Sequence, residues 1–162
     1  QKEYVDWKYE ILKDIVSAAP REITRYDKKR DIYETSYYFH TRSTVELGRL
    51  HEWFYEFDRK GIPRNLKQII TPRILAVWYM DDGSFTGSGC TFSTHSFCVD
   101  EQHYLAEILH DVFDIKTSLV RDRDKFKLSL NKFNFSKFAG IIRPYIIDSM
   151  SYKIVYPRND LL

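Results

Sequence analysis

Apolar side chains recur along this chain with two periods, one helical and one alternating, and together they predict a mixed fold. Helical spacing predicts helices at residues 1–19, 44–57, 72–82 and 100–113, and in a last segment that contains Phe135 and Tyr145. Alternation predicts paired strands at residues 21–27 with 32–41, 85–86 with 90–94, and 117–121 with 125–130. Hairpins interspersed with helices predict an α+β fold with antiparallel sheets.

One predicted helix is apolar on almost every side. The pair Thr71-Pro72 favours a helix start, since Thr can cap the first amides and Pro is tolerated at the first helical position. Residues 74–80 are all apolar or aromatic, so we expect a buried helix. The pair Asp81-Asp82 follows, where the helix dipole disfavours anions, and Gly83 ends the helix. Either a cation compensates the two carboxylates or water solvates them, and the local pattern leaves both interpretations open.

The order of the elements indicates two unequal repeats. Residues 73–147 predict helix, hairpin, helix, hairpin, helix, whereas residues 1–57 predict helix, hairpin, helix. The first half therefore resembles the second half without its opening helix and first hairpin. We predict the remainder of a first repeat over residues 1–72 and a complete second repeat over residues 73–162.

The charge balance restricts how this chain could bind nucleic acid. Its 162 residues carry a net charge of only +2, so a binding surface must come from clustered basic residues. Such clusters lie at residues 21–30 and 116–137. The two cysteines lack metal-binding spacing and no apolar run reaches membrane length, so we expect a protein of a reducing, intracellular compartment.

The last predicted hairpin has one apolar and one basic face. In strand 125–130, Phe, Leu and Leu alternate with Lys, Lys and Ser. A basic, hydroxyl-bearing sheet face suits recognition of a DNA duplex, whereas an ordinary solvated face is the alternative. Across the two basic clusters, the candidate DNA-binding residues are Arg25, Lys28, Arg121, Arg123, Lys125 and Lys127.

Residues 75–83, Leu-Ala-Val-Trp-Tyr-Met-Asp-Asp-Gly, resemble the signature motif of the LAGLIDADG homing endonucleases. They are most similar to the branch whose second motif has Leu-Ala, an aromatic pair and Met-Asp-Asp-Gly. Departures from the family's name motif at Val77, Met80 and Asp81 are usual in this branch. Similar residues also stand at 3–7, 60–63, 94–97, 143–146 and 150–153, so the resemblance covers nearly the whole chain.

The resemblance implies a LAGLIDADG homing-endonuclease fold with an αββαββα subdomain and antiparallel saddle sheets that straddle DNA. In that fold two motif helices pack side by side, and each delivers one carboxylate to the active site. By motif position, Asp82 is implied as the Mg²⁺ ligand, since Mg²⁺ is bound by a few carboxylates together with substrate oxygens. Lys60 and Lys153 are implied near the scissile phosphates, where they would stabilise developing negative charge. Sequence context alone leaves both as ordinary surface lysines.

The function implied is a site-specific, Mg²⁺-dependent endonuclease acting on double-stranded DNA. An intron-encoded origin is favoured, since nothing resembles a protein-splicing domain, and it places the protein in an organelle or the bacterial cytoplasm. The alternatives are an RNA-binding splicing maturase on the same fold and a DNA-binding regulator. Asp82 with Lys60 and Lys153 favours the nuclease, because RNA or DNA binding alone would not require them.

A first motif is missing from these residues. The early acidic candidates Asp6, Asp14 and Asp58 do not end an apolar helix followed by Gly. We expect an N-terminal segment before Gln1, or a separate polypeptide, to carry an apolar helix ending in an acidic residue and Gly, together with a hairpin. A homodimer is less favoured, since it would not need the partial repeat over residues 1–72.

Overall fold

The computed structural model describes residues 1–155, and the chain divides into two compact units, Gln1–Arg49 and Leu50–Leu162. The α-helices are α1 (Lys2–Leu12), α2 (Val45–Phe54), α3 (Leu66–Ile69), α4 (Pro72–Asp82), α5 (Val99–Phe113) and α6 (Lys132–Ile142). The strands are β1 (Arg21–Asp27), β2 (Ile32–Tyr38), β3 (Tyr55–Glu56), β4 (Arg59–Lys60), β5 (Gly83–Phe85), β6 (Cys90–Phe92), β7 (Ser118–Asp122) and β8 (Lys125–Leu130). Short 3-10 helices cover Lys13–Ile15, Arg143–Tyr145 and Asp148–Lys153.

The division into compact units falls at residue 49, whereas the predicted division into repeats falls at residue 72. The assignment of residues 1–72 and 73–162 as two repeats stays a prediction. Within residues 1–155, no helix combines the length and the apolar character needed to cross a bilayer.

The first unit contains helix α1 and the hairpin of β1 and β2. The two strands pair antiparallel from Arg21 opposite Tyr38 to the turn that joins them. Tyr4 of α1 and Val16 are buried, while most side chains of the hairpin are exposed. This hairpin therefore presents most of its side chains to solvent, including the first basic cluster.

The second unit is organised around a four-stranded antiparallel sheet with the order β5-β6-β8-β7. The aromatic rings of Tyr79 in α4, Phe92 in β6 and Phe138 in α6 meet in its core, with centroids 4.9 to 5.6 Å apart. All three side chains are buried. The predicted order of helix, hairpin, helix, hairpin, helix over residues 73–147 is confirmed by the elements from α4 to α6.

Helix α4 begins as predicted. The Thr71 hydroxyl accepts the backbone N–H of Ile74 at 3.3 Å, and Pro72 is the first helical residue. One of the otherwise unpaired amides of the first turn is thereby satisfied. The start of α4 is thus encoded by two neighbouring residues.

Gly83 ends α4 as predicted, but the physical reason is space. Its backbone is extended, with φ −85° and ψ 149°, a conformation that any residue can adopt. A Cβ atom at this position would lie 2.0 Å from the ring of Tyr79 and 2.5 Å from its carbonyl oxygen. Glycine is therefore required so that Tyr79 can pack against the point where helix becomes strand.

The prediction that α4 is a buried helix is confirmed except on the face that carries Ile74. Leu75, Ala76, Tyr79 and Met80 are buried, but the side chain of Ile74 is 43% exposed. That face opens into a groove, which is described below. The near-continuous run of apolar residues therefore does not reveal that one face of the helix is exposed.

The predicted helix over residues 44–57 is shorter than expected. Helix α2 ends at Phe54, and the backbone N–H of Gly61 donates to the Phe54 carbonyl at 2.8 Å. Phe57 and Asp58 adopt positive φ angles of 46° and 61°, which reverse the chain and let β3 pair with β4. The helical spacing of apolar residues in this segment also predicts a buried face, formed by Val45, Leu47, Leu50, Trp53, Phe54 and Phe57, and this prediction is wrong: no residue of α2 is buried, and Phe57 is exposed. An amphipathic pattern shows which face is apolar, but burial also requires an element that packs on it.

The steric requirement at Gly83 makes a stability prediction. Gly83→Ala should lower the free energy of unfolding by about 2 kcal/mol, because the new methyl group overlaps the Tyr79 ring and forces a backbone shift. Urea denaturation measures the change. Gly140→Ala in α6 is the matched control, since its Cβ meets no atom within 4 Å and should stabilise the helix by about 1 kcal/mol. Equal stability of Gly83→Ala and the parent chain would contradict this account of the helix end.

Candidate active site

A groove of about 310 Å³ lies beside the exposed face of α4, and we call it the α4 groove. Its lining is mostly apolar, with one carboxylate, one ammonium group and two hydroxyl groups. The lining residues are Phe54, Lys60, Ile62, Leu66, Ile70, Ile74, Trp78, Asp82, Ser93, Ser96, Phe97 and Leu105. A concave apolar surface with a few polar groups is typical of a binding or active site.

Asp82 lies at the end of α4, on the same helical face as Ile74 and Trp78. Its side chain is exposed, but its backbone is fixed, because its carbonyl accepts the N–H of Ser93 at 2.9 Å. Trp78 packs against Phe92 of β6 with ring centroids 4.4 Å apart. The helix end is thereby attached to the sheet, and the Asp82 carboxylate is presented to the groove from a rigid support.

Lys60 places a positive charge on the same groove. It ends strand β4, and its Nζ lies 5.6 Å from the centroid of the Phe97 ring, within the range of a cation–π contact. Its neighbour Arg59 forms an ion pair with Glu101 at 2.8 Å, which attaches the short hairpin to α5. The structure therefore brings Lys60 and Asp82 to one groove, from elements distant in sequence.

Lys153 lies at the same helix end but points to the backbone. Its Nζ donates to the carbonyl oxygens of Met80 at 2.6 Å, Gly83 at 2.8 Å and Tyr79 at 3.5 Å. Burial lowers the pKa of Lys153, while the nearby carboxylates of Asp81 and Asp82 oppose that shift. The family resemblance implied a position for Lys153 near the scissile phosphates, whereas its side-chain hydrogen bonds in the structure are to the end of α4.

Among the charged groups of the groove, the Asp82 carboxylate has the chemistry of a Mg²⁺ ligand. Within residues 1–155, no three His, Cys, Asp or Glu side chains converge to form a complete metal site. Mg²⁺ does not need one, because it is commonly held by one or two carboxylates together with water and substrate phosphate oxygens. The exposed carboxylate of Asp82 can supply one such ligand.

The strand register decides which predicted DNA-binding residues share a face. Lys125 lies opposite Asp122, and Lys127 opposite Val120, so these residues share the polar face of the sheet. Arg121 lies opposite Phe126 and therefore belongs to the other face. Strand β7 extends to Asp122, one residue beyond the predicted end, and Arg123 lies in the turn with φ 60°. The polar face continues through Ser129, Thr91 and Ser84.

An ion-pair cluster on this face was not predicted. The carboxylate of Asp122 accepts a hydrogen bond of 2.7 Å from the Lys127 ammonium group and lies 3.2 Å from His95 Nε2. The hydrogen bond from Lys127, followed by that from His95, holds the pKa of Asp122 below its usual range. Lys127 is therefore partly neutralised. Sequence analysis could not detect the contact with His95, because the two residues lie in different elements.

The basic cluster of the first unit is organised by its turn. Asp27 accepts the N–H of Lys29 at 2.8 Å and the Nε of Arg30 at 2.8 Å. Arg25 lies opposite Glu34 on the neighbouring strand, and Lys28 is an exposed turn residue. The two candidates therefore lie on an exposed hairpin that carries acidic as well as basic groups.

The two cysteines differ in accessibility. Burial raises the pKa of the Cys90 thiol to about 12, whereas Cys98 is exposed at the start of α5. The Cys98 backbone N–H donates to Glu101 at 2.8 Å, so this residue serves the helix start. Cys90, a largely protonated thiol in the core, is not suited to nucleophilic catalysis.

Comparison with known proteins agrees with this fold and motif. The model of the LAGLIDADG DNA endonuclease family matches residues 1–138. The intron-encoded endonuclease ai4 of Dictyostelium discoideum is 32% identical over 121 residues, which cover 73% of this chain and 76% of that protein. The cytochrome b mRNA maturase bI2 of Saccharomyces cerevisiae is 36% identical over 111 residues, which cover 64% of this chain but only 26% of that protein.

A solved structure supports the fold independently. The homing endonuclease I-WcaI bound to its DNA recognition sequence matches with a TM-score of 0.91 at 23% identity, over 97% of this chain and 73% of that chain. At that identity the likeness concerns the fold. Because the family model matches residues 1–138, which include the motif at residues 75–83, the chain belongs to the LAGLIDADG DNA endonuclease family.

Proposed function

We propose that this chain is an intron-encoded, site-specific endonuclease that hydrolyses double-stranded DNA. The observation that carries the proposal is the meeting of Asp82 and Lys60 on the α4 groove, in a family of DNA endonucleases. A carboxylate that can bind metal and an ammonium group on the same groove are suited to phosphodiester hydrolysis. An intron-encoded origin implies an organelle or the bacterial cytoplasm as the compartment.

Each charged residue of the groove has a separate task in the proposed reaction. Asp82 would hold Mg²⁺ at the end of α4, and its fixed backbone keeps the carboxylate in place. When bound, Mg²⁺ polarises the scissile phosphate and lowers the pKa of the attacking water. Lys60, at the rim of the groove, would donate to a phosphate oxygen and stabilise the negative charge that develops there.

The DNA would lie against the polar face of the four-stranded sheet. Lys125 and the turn residue Arg123 are exposed at one end of this face, and Ser84, which follows Gly83, lies at the other. Basic groups suit phosphates, and hydroxyl groups suit either phosphates or base edges. The proposed face therefore leads from the basic turn to the candidate active site. Arg25 and Lys28 are proposed as further phosphate contacts from the first unit.

We also propose that a second motif helix supplies the other carboxylate. The groove holds one carboxylate, and the exposed Ile74 leaves part of α4 uncovered. A second apolar helix would cover such a surface and bring its own terminal acidic residue. That helix would belong to a preceding segment or to a separate polypeptide.

A splicing maturase remains the second candidate function. The observation that favours it is the similarity to the yeast maturase bI2. RNA splicing would require the basic surfaces but not a metal-binding carboxylate at Asp82. Cleavage of DNA that depends on Asp82 therefore distinguishes the two functions.

The function is tested by DNA cleavage. The chain, alone and joined to a segment that carries a first motif, is incubated with Mg²⁺ and a plasmid library of long random inserts. We expect cleavage at a restricted set of sequences. Asp82→Asn should reduce it by at least about 100-fold while changing DNA affinity only a few-fold, because the lost charge lies at the metal and not on the sheet.

Asp81→Asn is the matched control, since it removes the neighbouring carboxylate from the same helix end. We expect its cleavage rate to stay within about tenfold of the parent chain, because Asp81 is absent from the groove lining. Undiminished cutting by Asp82→Asn at saturating protein would refute the assignment of the metal ligand. Specific binding of intron RNA without DNA cleavage by any form would instead favour the maturase.

The two faces of β7 and β8 allow a matched test of DNA binding. Lys125→Ala should reduce the slope of log affinity against log salt concentration by about one unit, as expected for one lost phosphate contact. Arg121→Ala removes an equal charge from the opposite face and should leave that slope nearly unchanged. The slopes come from fluorescence anisotropy of labelled duplexes. An effect of Arg121→Ala alone would assign DNA binding to the other face.

A further inference from the structure

The ammonium group of Lys153 is fully engaged by backbone oxygens. Its contacts with Met80, Gly83 and Tyr79 measure 2.6, 2.8 and 3.5 Å. An ammonium group has three N–H donors, so these three carbonyls account for all of them. A phosphate oxygen would have to displace one of these contacts to bind Lys153.

Two of the contacted carbonyls, those of Tyr79 and Met80, belong to the last turn of α4, and the Tyr79 carbonyl also accepts the backbone N–H of Gly83. The last carbonyl groups of an α-helix lack N–H donors within the helix. A lysine near the C-terminus can donate hydrogen bonds to them and offset the helix dipole. Helix α4 needs such a cation more than most, because Asp81 and Asp82 add negative charge to its negative end. Lys153 thus supplies the compensating cation that the acidic pair requires.

A further hydrogen bond joins α4 and Lys153 in the opposite direction. The hydroxyl of Tyr79 donates to the backbone carbonyl of Lys153 at 2.8 Å. Tyr79 is fully buried, and Met150 and Ile154, which flank Lys153, are buried too. The segment that carries Lys153 is therefore packed against α4, and its side chain has little freedom to swing towards a substrate.

We propose that Lys153 is a positioning residue, which fixes the end of α4 and thereby the place of the Asp82 carboxylate. Asp82 lies between two of the contacted residues, Met80 and Gly83, so its backbone cannot shift without breaking these bonds. Lys60, in contrast, lines the α4 groove, whereas Lys153 does not. The two lysines thus have different roles: Lys60 is available to a substrate in the groove, and Lys153 holds the end of the helix. Only the role of Asp82 in this inference rests on the proposed function.

Hydrogen exchange measured without DNA tests the positioning role separately from the proposed function. Lys153→Met removes the charge but keeps the length of the side chain. We expect amide exchange in peptides covering residues 79–85 to accelerate by roughly tenfold, since charge-assisted hydrogen bonds at the helix end are lost. Lys60→Met is the matched control, because it removes a neighbouring cation that touches no backbone carbonyl of α4, and it should leave exchange unchanged.

The metal dependence of cleavage gives a second readout. If Lys153 positions Asp82, Lys153→Met should raise the Mg²⁺ concentration for half-maximal cleavage several-fold, and Lys153→Arg should partly restore it. Lys60→Met should instead lower the maximal rate without that shift. Failure of the proposed function would remove cleavage from every form and still leave the exchange result interpretable.

Tyr79→Phe covers the case in which Lys153→Met does not fold. It deletes only the hydroxyl that donates to Lys153, and exchange in residues 79–85 should accelerate by a smaller factor. Unchanged exchange in both Lys153→Met and Tyr79→Phe, or in Tyr79→Phe alone if the first variant is unfolded, would overturn the proposal. Lost cleavage with unchanged exchange would then place Lys153 at the phosphate.

Discussion

The close packing of Tyr79 against Gly83 is the constraint on which the candidate site depends. The ring occupies the space that any other residue at position 83 would need, and its hydroxyl reaches the backbone of Lys153. The same ring meets Phe92 and Phe138 in the core. One buried side chain therefore joins the end of α4, the sheet and the C-terminal 3-10 helix.

This packing explains how an exposed carboxylate can have a fixed position. The Asp82 side chain faces solvent, but its backbone is fixed. Asp81 and Asp82 belong to the helix, and the next residue, Gly83, pairs with Phe92 in the sheet. Lys153 satisfies the carbonyls around it. A site for phosphodiester hydrolysis needs this combination, since the ligand must be accessible to substrate and must not move when charge develops.

Sequence reasoning succeeded where the signal was local. The start of α4 at Thr71-Pro72, its end at Gly83 and the order of helices and hairpins each follow from neighbouring residues and from periodicity. It failed where a contact joined distant segments. The bonds from Lys153 to α4 and the pairing of His95 with Asp122 have no local signature. The early end of α2 was missed because its turn uses Phe57 and Asp58, and not the Asn-Gly pair typical of such turns.

The register of β7 and β8 shows how a small error changes a functional assignment. The turn between β7 and β8 begins after Asp122, one residue later than predicted, so that Asp122 and not Arg121 lies opposite Lys125. Side chains alternate between the two faces along a strand. Arg121 consequently shares a face with Phe126, away from Lys125. Residue type alone would have grouped the two basic residues. The position of a charge relative to the sheet, and not its place in a basic cluster, determines whether it can meet DNA.

The central claim, that DNA crosses the polar sheet face with its scissile phosphate at the end of α4, is tested most directly by affinity cleavage. Ser84→Cys in a Cys98→Ser background offers one accessible thiol, since Cys90 is buried. An iron chelate attached there should cut bound DNA within a few base pairs of the enzymatic cleavage site. Scission far from that site, or none on DNA that the protein binds specifically, would contradict the account.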